Sequence, residues 1–298
     1  MTLLNRREAV QAGAALLAAA ACFRHLPAAQ NGAKKKILFY NKSATFEHSV
    51  VKQTGDAPCY ATRMLNEFAA PAGFEFVSTK DGTVFDGDLS SYDAFLFFTT
   101  GDLTQVGLDK QPAISAAGKQ KLLDAVAAGK GFLGSHCASD TFHSKGKAFA
   151  NQTELDPYIA MLGGEFIRHG EQQKAKMKVV DSKFPGLDKA GDGFALNEEW
   201  YSLKNFASDM HVLLVQDTNG MKNVDYDRPP YPATWIRKHG KGRVFYTSMG
   251  HREDVWAHPS FQSLFVGALK WATGQAEADL TPNLKEVTPE ASKLPHVD

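Results

Sequence analysis

Short apolar runs alternate with helix-length amphipathic segments through the first half of the chain. Residues 37–40 (Ile-Leu-Phe-Tyr) carry no polar position and are flanked by three lysines and Asn41, which predicts a first strand buried on both faces. Residues 57–70 read as a helix, 74–78 as a strand and 94–99 (Ala-Phe-Leu-Phe-Phe-Thr) as a second fully buried strand. A helix over 115–128 with Gly129 as its C-cap leads into another strand. Strands that alternate with helices of this length predict a parallel sheet covered on both faces, an α/β fold.

The rhythm changes after residue 153. Residues 153–162 read as a helix, but 176–180, 212–216, 233–237 and 243–248 read as strands with little helix between them. The second half is therefore expected either to add strands to the same sheet or to build a lobe at its carboxyl edge. An amphipathic helix over 261–273 closes the domain, and 275–298, with Pro282, Pro289 and Pro295 and few large apolar residues, is expected to be an extended or disordered tail.

Composition narrows this picture. In 298 residues, 43% hydrophobic content is ample for a packed core, and the 33 basic residues equal the 33 acidic ones, which gives no electrostatic footprint for nucleic acid or an anionic membrane. A neutral small polar ligand fits better. Arg6 and Arg7 precede an alanine-rich apolar run that ends at Cys22, too short for a membrane span, so residues 1–33 are expected to be an export signal of twin-arginine type and its linker. This predicts a periplasmic or secreted protein. Cleavage before Cys22 would instead give a lipoprotein with its anchor there. Past the signal only Cys59 and Cys137 remain, so no disulfide framework is expected.

The segment from Gly129 to Phe142 carries the strongest chemical signal. Glycines at 131 and 134 and small residues at 138 and 139 let a strand bend sharply into a helix and expose one side chain at the bend. His136 is expected at that apex, which points to acid–base work or metal ligation; a shift of one residue would put Cys137 there as a nucleophile. His48, His169 and His251 also fall at or just after strand ends, and loops at the carboxyl ends of parallel strands share one crevice. Glu198 and Glu199 beside Trp200 and Tyr201 add carboxylates and aromatics suited to a sugar. His143, His211, His239 and His258 read as surface or satisfied core residues. No phosphate-cradling loop or dinucleotide fingerprint is present, so no nucleotide cofactor is expected.

The order of these motifs, from the first strand through His48, the elbow at His136, Gly163-Gly164 with Phe166 and His169, Asp181, Glu198-Glu199-Trp200-Tyr201, Pro232 to Trp235, Gly240 to Tyr246 and Gly250-His251, resembles the trehalose-utilisation ThuA-like family. The resemblance spans residues 34–274. It implies a flavodoxin-like three-layer sandwich with a mostly parallel sheet, similar to class I glutamine amidotransferases, in which His136 takes the position of the amidotransferase cysteine. The sequence departs from the family pattern at Glu198, where Asp is frequent, and at Cys137, where relatives carry a small residue.

Residues and resemblance together predict an exported enzyme acting on a disaccharide or keto-sugar glycoside. His136, Glu199 and His251 are the expected catalytic groups, with His48, His169, Tyr201, Trp235 and Trp256 binding the sugar. One divalent metal such as zinc is the candidate cofactor, with ligands drawn from His136, His169, Glu199 and His251. Enolisation beside a ketone would allow glycosidic cleavage by elimination with a base of modest strength. The rival readings are a non-catalytic sugar-binding protein and a Cys137-dependent hydrolase or amidotransferase; the oligomeric state stays open.

Overall fold

The computed structural model describes residues 33–295. The expected export signal and Cys22 fall in residues 1–32, outside the described residues. Strand β1 (Lys35–Tyr40) buries Ile37 to Tyr40 completely, as its unbroken apolar run requires. Helix α1 (Tyr60–Phe68) packs Ala61, Met64 and Leu65 inward at helical spacing, and strands β2 (Phe74–Thr79) and β3 (Ala94–Phe97) follow. Helix α2 (Ala116–Ala127) starts where the Ser115 hydroxyl accepts from Gly118 N at 2.8 Å, and its C-cap is Ala128, one residue before the expected Gly129. Strand β4 (Gly131–Ser135) is buried throughout.

These strands make one side of a nine-stranded sheet in the order β2-β1-β3-β4-β11-β10-β9-β6-β7. The first five run parallel; β11 (Gly242–Thr247) completes them beside β4. Chain order reverses at β1, so a crevice opens at the carboxyl ends of β1 and β3. The second half adds strands to the same sheet, all antiparallel: β10 (Tyr231–His239), β9 (His211–Gln216), β6 (Gln173–Val179) and β7 (Gly193–Glu198). A separate two-stranded ladder of β5 (Glu165–His169) and β8 (Tyr201–Lys204) stands beside it. Helix α3 (Pro157–Leu162) is shorter than the expected 153–162, because Pro157 tolerates only a first-turn position and Asp156 caps it from Tyr158 N.

The last helices are the short α4 (Glu253–Trp256) and α5 (Pro259–Ala272), the latter capped by His258 Nδ1, which accepts from Ser260 N. Phe261, Leu264, Phe265, Ala268 and Leu269 face the sheet, and full burial of each large side chain contributes about 1.5–3 kcal/mol.

Residues 275–295 carry no strand and one turn of helix, α6 (Leu284–Val287), and they form a strap. Asn283 bonds both Val212 N and Val212 O, where β6 does not reach along β9. His211 Nδ1 donates to Thr281 O, and the buried Arg228 holds Ala291 O at 2.8 Å. A cavity of about 390 Å³ lies under this strap against Leu155, Phe206 and Leu284, and no histidine lines it. Among the described residues no helix is long and apolar enough to cross a membrane.

Candidate functional site

The elbow is present at the end of β4. His136 holds φ at +46°, a conformation a non-glycine residue adopts only under constraint, and a short 3-10 turn follows to Ser139. Tyr246 Oη donates to His136 O at 2.9 Å, and the Ser135 hydroxyl donates to Met249 O at 2.8 Å, so the bend is fixed from β11. His136 Nδ1 donates to Ser248 O at 2.9 Å, which leaves a lone pair on Nε2. That nitrogen is buried and without a hydrogen-bond partner. Burial pushes His136 below the usual imidazole range, which favours the neutral ring.

Glu199 follows β7 and faces this ring, with Oε2 at 3.6 Å from His136 Nε2 and 3.0 Å from His251 Nδ1. The first approach is longer than a hydrogen bond and the second is not aligned for one, and His251 Nδ1, like His48 Nδ1, is buried with no partner. The His48 ring lies 5.0 Å from both His136 and His251. One ligand atom each from His48, His136, Glu199 and His251 falls within 4.8 Å of the others. Burial and the neighbouring imidazoles hold His48 well below its usual range. Burial alone would raise Glu199, but His136 and His251 outweigh it and keep the carboxyl far below the usual range. Burial would lower His251, yet Glu199 overrides it and raises this imidazole. Such a set can hold a divalent ion, or a proton shared between base and acid.

Glu198 points the other way. It is fully buried and accepts from Gly250 N, His251 N and Glu199 N, so it positions the loop that carries His251; burial pushes its carboxyl up to about 7 against those donors. Gly250 has φ +125°, and a Cβ there would come within 2.7 Å of Ser135 Oγ, so the close approach of the two loops requires glycine.

The other expected site residues divide. His169, with its side chain 41% exposed, stands 3.4 Å from Glu199 Oε1 at the rim and outside the inner group, whereas His48, expected only to bind sugar, lies within it. Tyr201 is buried with its ring 4.0 Å from His136 and 4.1 Å from Phe166, so it backs the histidine and offers no open face. Trp235 and Trp256 do not reach the crevice. Both are fully buried: Trp235 donates to Leu162 O and packs against Tyr246, and Trp256 donates to Gly250 O behind the His251 loop. Cys137 is fully buried too, and burial raises its thiol well above the usual range, which favours the protonated thiol over the thiolate a nucleophile requires.

Gln172 carried no signal in the sequence. Its side-chain amide lies 3.0 Å from His251 Nε2 while its Oε1 accepts from Arg252 Nη1 at 2.5 Å, which holds the ring from outside. Asp140 pairs with His143 Nε2 at 2.6 Å; His143 Nδ1 donates to the buried Glu165 at 3.0 Å. Ser144 N and Asn205 Nδ2 also donate to Glu165. Burial would lower His143, but the two carboxylates raise it to about 9.

Comparison with known proteins agrees with this architecture. No curated protein matches the chain. Among solved structures, a ThuA-like protein of Bacteroides uniformis superposes with a TM-score of 0.62 at 19% identity, covering 83% of this chain and 95% of its own. A ThuA-like protein of Parabacteroides merdae gives 0.57 at 15% identity, covering 89% and 98%. At these identities the likeness shows the fold: a mixed α/β sandwich of flavodoxin and glutamine amidotransferase type. A family model described as ThuA, trehalose utilisation, matches residues 36–272, and the chain therefore belongs to the ThuA family.

Proposed function

We propose that this chain is a metal-dependent enzyme acting on a disaccharide or keto-sugar glycoside, with one divalent ion such as zinc held by His48, His136, Glu199 and His251. The carbohydrate class rests on the family's link to trehalose utilisation. The metal rests on one observation: three buried imidazole nitrogens without hydrogen-bond partners surround one carboxylate. Leaving such groups unpaired costs roughly 1–3 kcal/mol each unless a cation takes their lone pairs.

A bound divalent ion would supply Lewis-acid polarisation of a sugar carbonyl or hydroxyl. The chain's own groups do the rest. Ser248 O keeps the proton on His136 Nδ1 and so keeps Nε2 available. Glu199 stays ionised and attracts the ion. His169, exposed at the rim beside Glu199, is placed to exchange a proton with a bound sugar, as enolisation next to a ketone requires. The export signal expected at residues 1–33 would put this chemistry in the periplasm.

The 3.0 Å approach of His251 to Glu199 supports a second reading, in which the two are an acid–base pair without metal. Elemental analysis of the purified protein separates them. The expected result is about one divalent ion per chain, lost in His48→Ala, His136→Ala, Glu199→Ala and His251→Ala and kept in His169→Ala. Turnover of a keto-disaccharide that survives complete chelation would favour the second reading, and sugar binding without any turnover would make the protein a binder.

A further inference from the structure

Among the described residues four large hydrophobic side chains are exposed, and three of them, Phe46 (56%), Val106 (54%) and Leu108 (63%), sit on two loops tied to each other. Leu108 N donates to Ala44 O and Asp109 N to Ser43 O, while the buried Lys42 binds both Val106 O and Asp109. Scattered apolar side chains need no explanation, but an exposed aromatic beside a site residue does. The Phe46 ring lies 4.8 Å from the His48 ring at 85°. Its backbone is clamped from both sides by one hydroxyl: Phe46 N donates to Thr100 Oγ1 at 3.2 Å, and Thr100 Oγ1 donates to Phe46 O at 2.8 Å. The chain thus fixes this residue rigidly and leaves its side chain in water.

We infer that Phe46 is the platform on which the apolar face of a pyranose ring stacks, with Val106 and Leu108 extending it, so that the sugar is presented to His48 and its partners. The inference rests on the carbohydrate reading above and supplies the aromatic surface that the buried Trp235 and Trp256 do not. A pyranose pairs an apolar C–H face with a ring of hydroxyls. Beyond His48 the crevice offers hydroxyl partners in Gln172, bonded to His251, and in Arg252 and His169. Three side chains are too few for the roughly 800 Å² per partner that a stable protein interface buries, which favours a small ring over a second copy of the chain.

The test is calorimetric titration of the zinc-loaded protein with trehalose, with methyl α-glucoside and with sorbitol, which has the hydroxyls but no ring face. Phe46→Ala should weaken binding of both pyranosides about 3–10-fold, Phe46→Trp should restore it, and sorbitol binding and zinc content should be the same in all three proteins. Unchanged pyranoside affinity in Phe46→Ala, or an equal loss for sorbitol, overturns the platform while leaving the carbohydrate reading intact. Wild-type protein that binds neither pyranoside overturns both. Sedimentation showing a wild-type dimer that Phe46→Ala dissociates would make the lip a self-association surface and overturn the platform as well.

Discussion

Two imidazole–carboxylate groups lie at the two ends of the turn from His136 to Ser139, built from the same residue types, and they have opposite characters. Around Glu165 each acceptor has its donor: His143, Ser144 and Asn205 converge on one carboxylate, Asp140 takes the other side of the His143 ring, and the imidazole is held charged to about pH 9. Around Glu199 the count fails. His136 and His48 are pushed toward neutrality, and three ring nitrogens in the group find no partner. A cluster whose donors and acceptors balance is a pin, whereas one left with surplus lone pairs is a receptor for a cation. Residue composition alone does not separate the two.

The largest expected effect comes from exchanging their fates by mutation. His136→Ala should abolish bound metal and lower activity at least about 100-fold when assayed well below the melting transition, and because the ring is fully buried the melting temperature should fall as well. His143→Ala should keep the metal and hold activity within about 3-fold. It should cost about 1 kcal/mol after allowance for the half-exposed ring, or roughly 2–4 °C for a chain of this size. Loss of metal in His143→Ala would collapse the distinction.

The pH dependence sharpens the contrast. His143 titrates near 9 in the folded chain and near its ordinary 6.5 when unfolded. Its contribution is therefore complete below about pH 6.5 and is lost as the pH rises through about 9. The difference in melting temperature between wild type and His143→Ala should shrink across that interval; a gap that stays constant would mean the ring acts by packing and not by charge. The smallest effect is expected at Gln172. Removing its hydrogen bond in Gln172→Ala should loosen His251 and weaken metal affinity by about 10-fold, measured by competition with a chelator, with Glu165 and its partners undisturbed.

Much of this was legible in the sequence because it rests on local signals. Glycines at 131 and 134 mark the elbow, and strand ends mark His48, His136 and His251. What escaped depends on tertiary packing. A tryptophan beside a motif looks the same in sequence whether it meets a ligand or the core, and Trp235 lies mid-strand in β10 with Phe206 and Tyr246 closing over it. Gln172 is a single polar residue in a loop, visible only once Arg252 and His251 are placed around it. The strap over 275–295 lacks any apolar period; single anchors such as Asn283 against Val212 hold it, and no periodicity betrays an anchor.

The left-handed backbone at His136 also bears on how the lineage can change. Holding an imidazole at φ +46° costs on the order of 1–2 kcal/mol, which asparagine or glycine would largely relieve. Under relaxed selection, position 136 should drift toward those two residues before the rest of the domain decays. A survey of descendants could then separate copies still performing the chemistry from copies that keep only the scaffold, by reading a single codon.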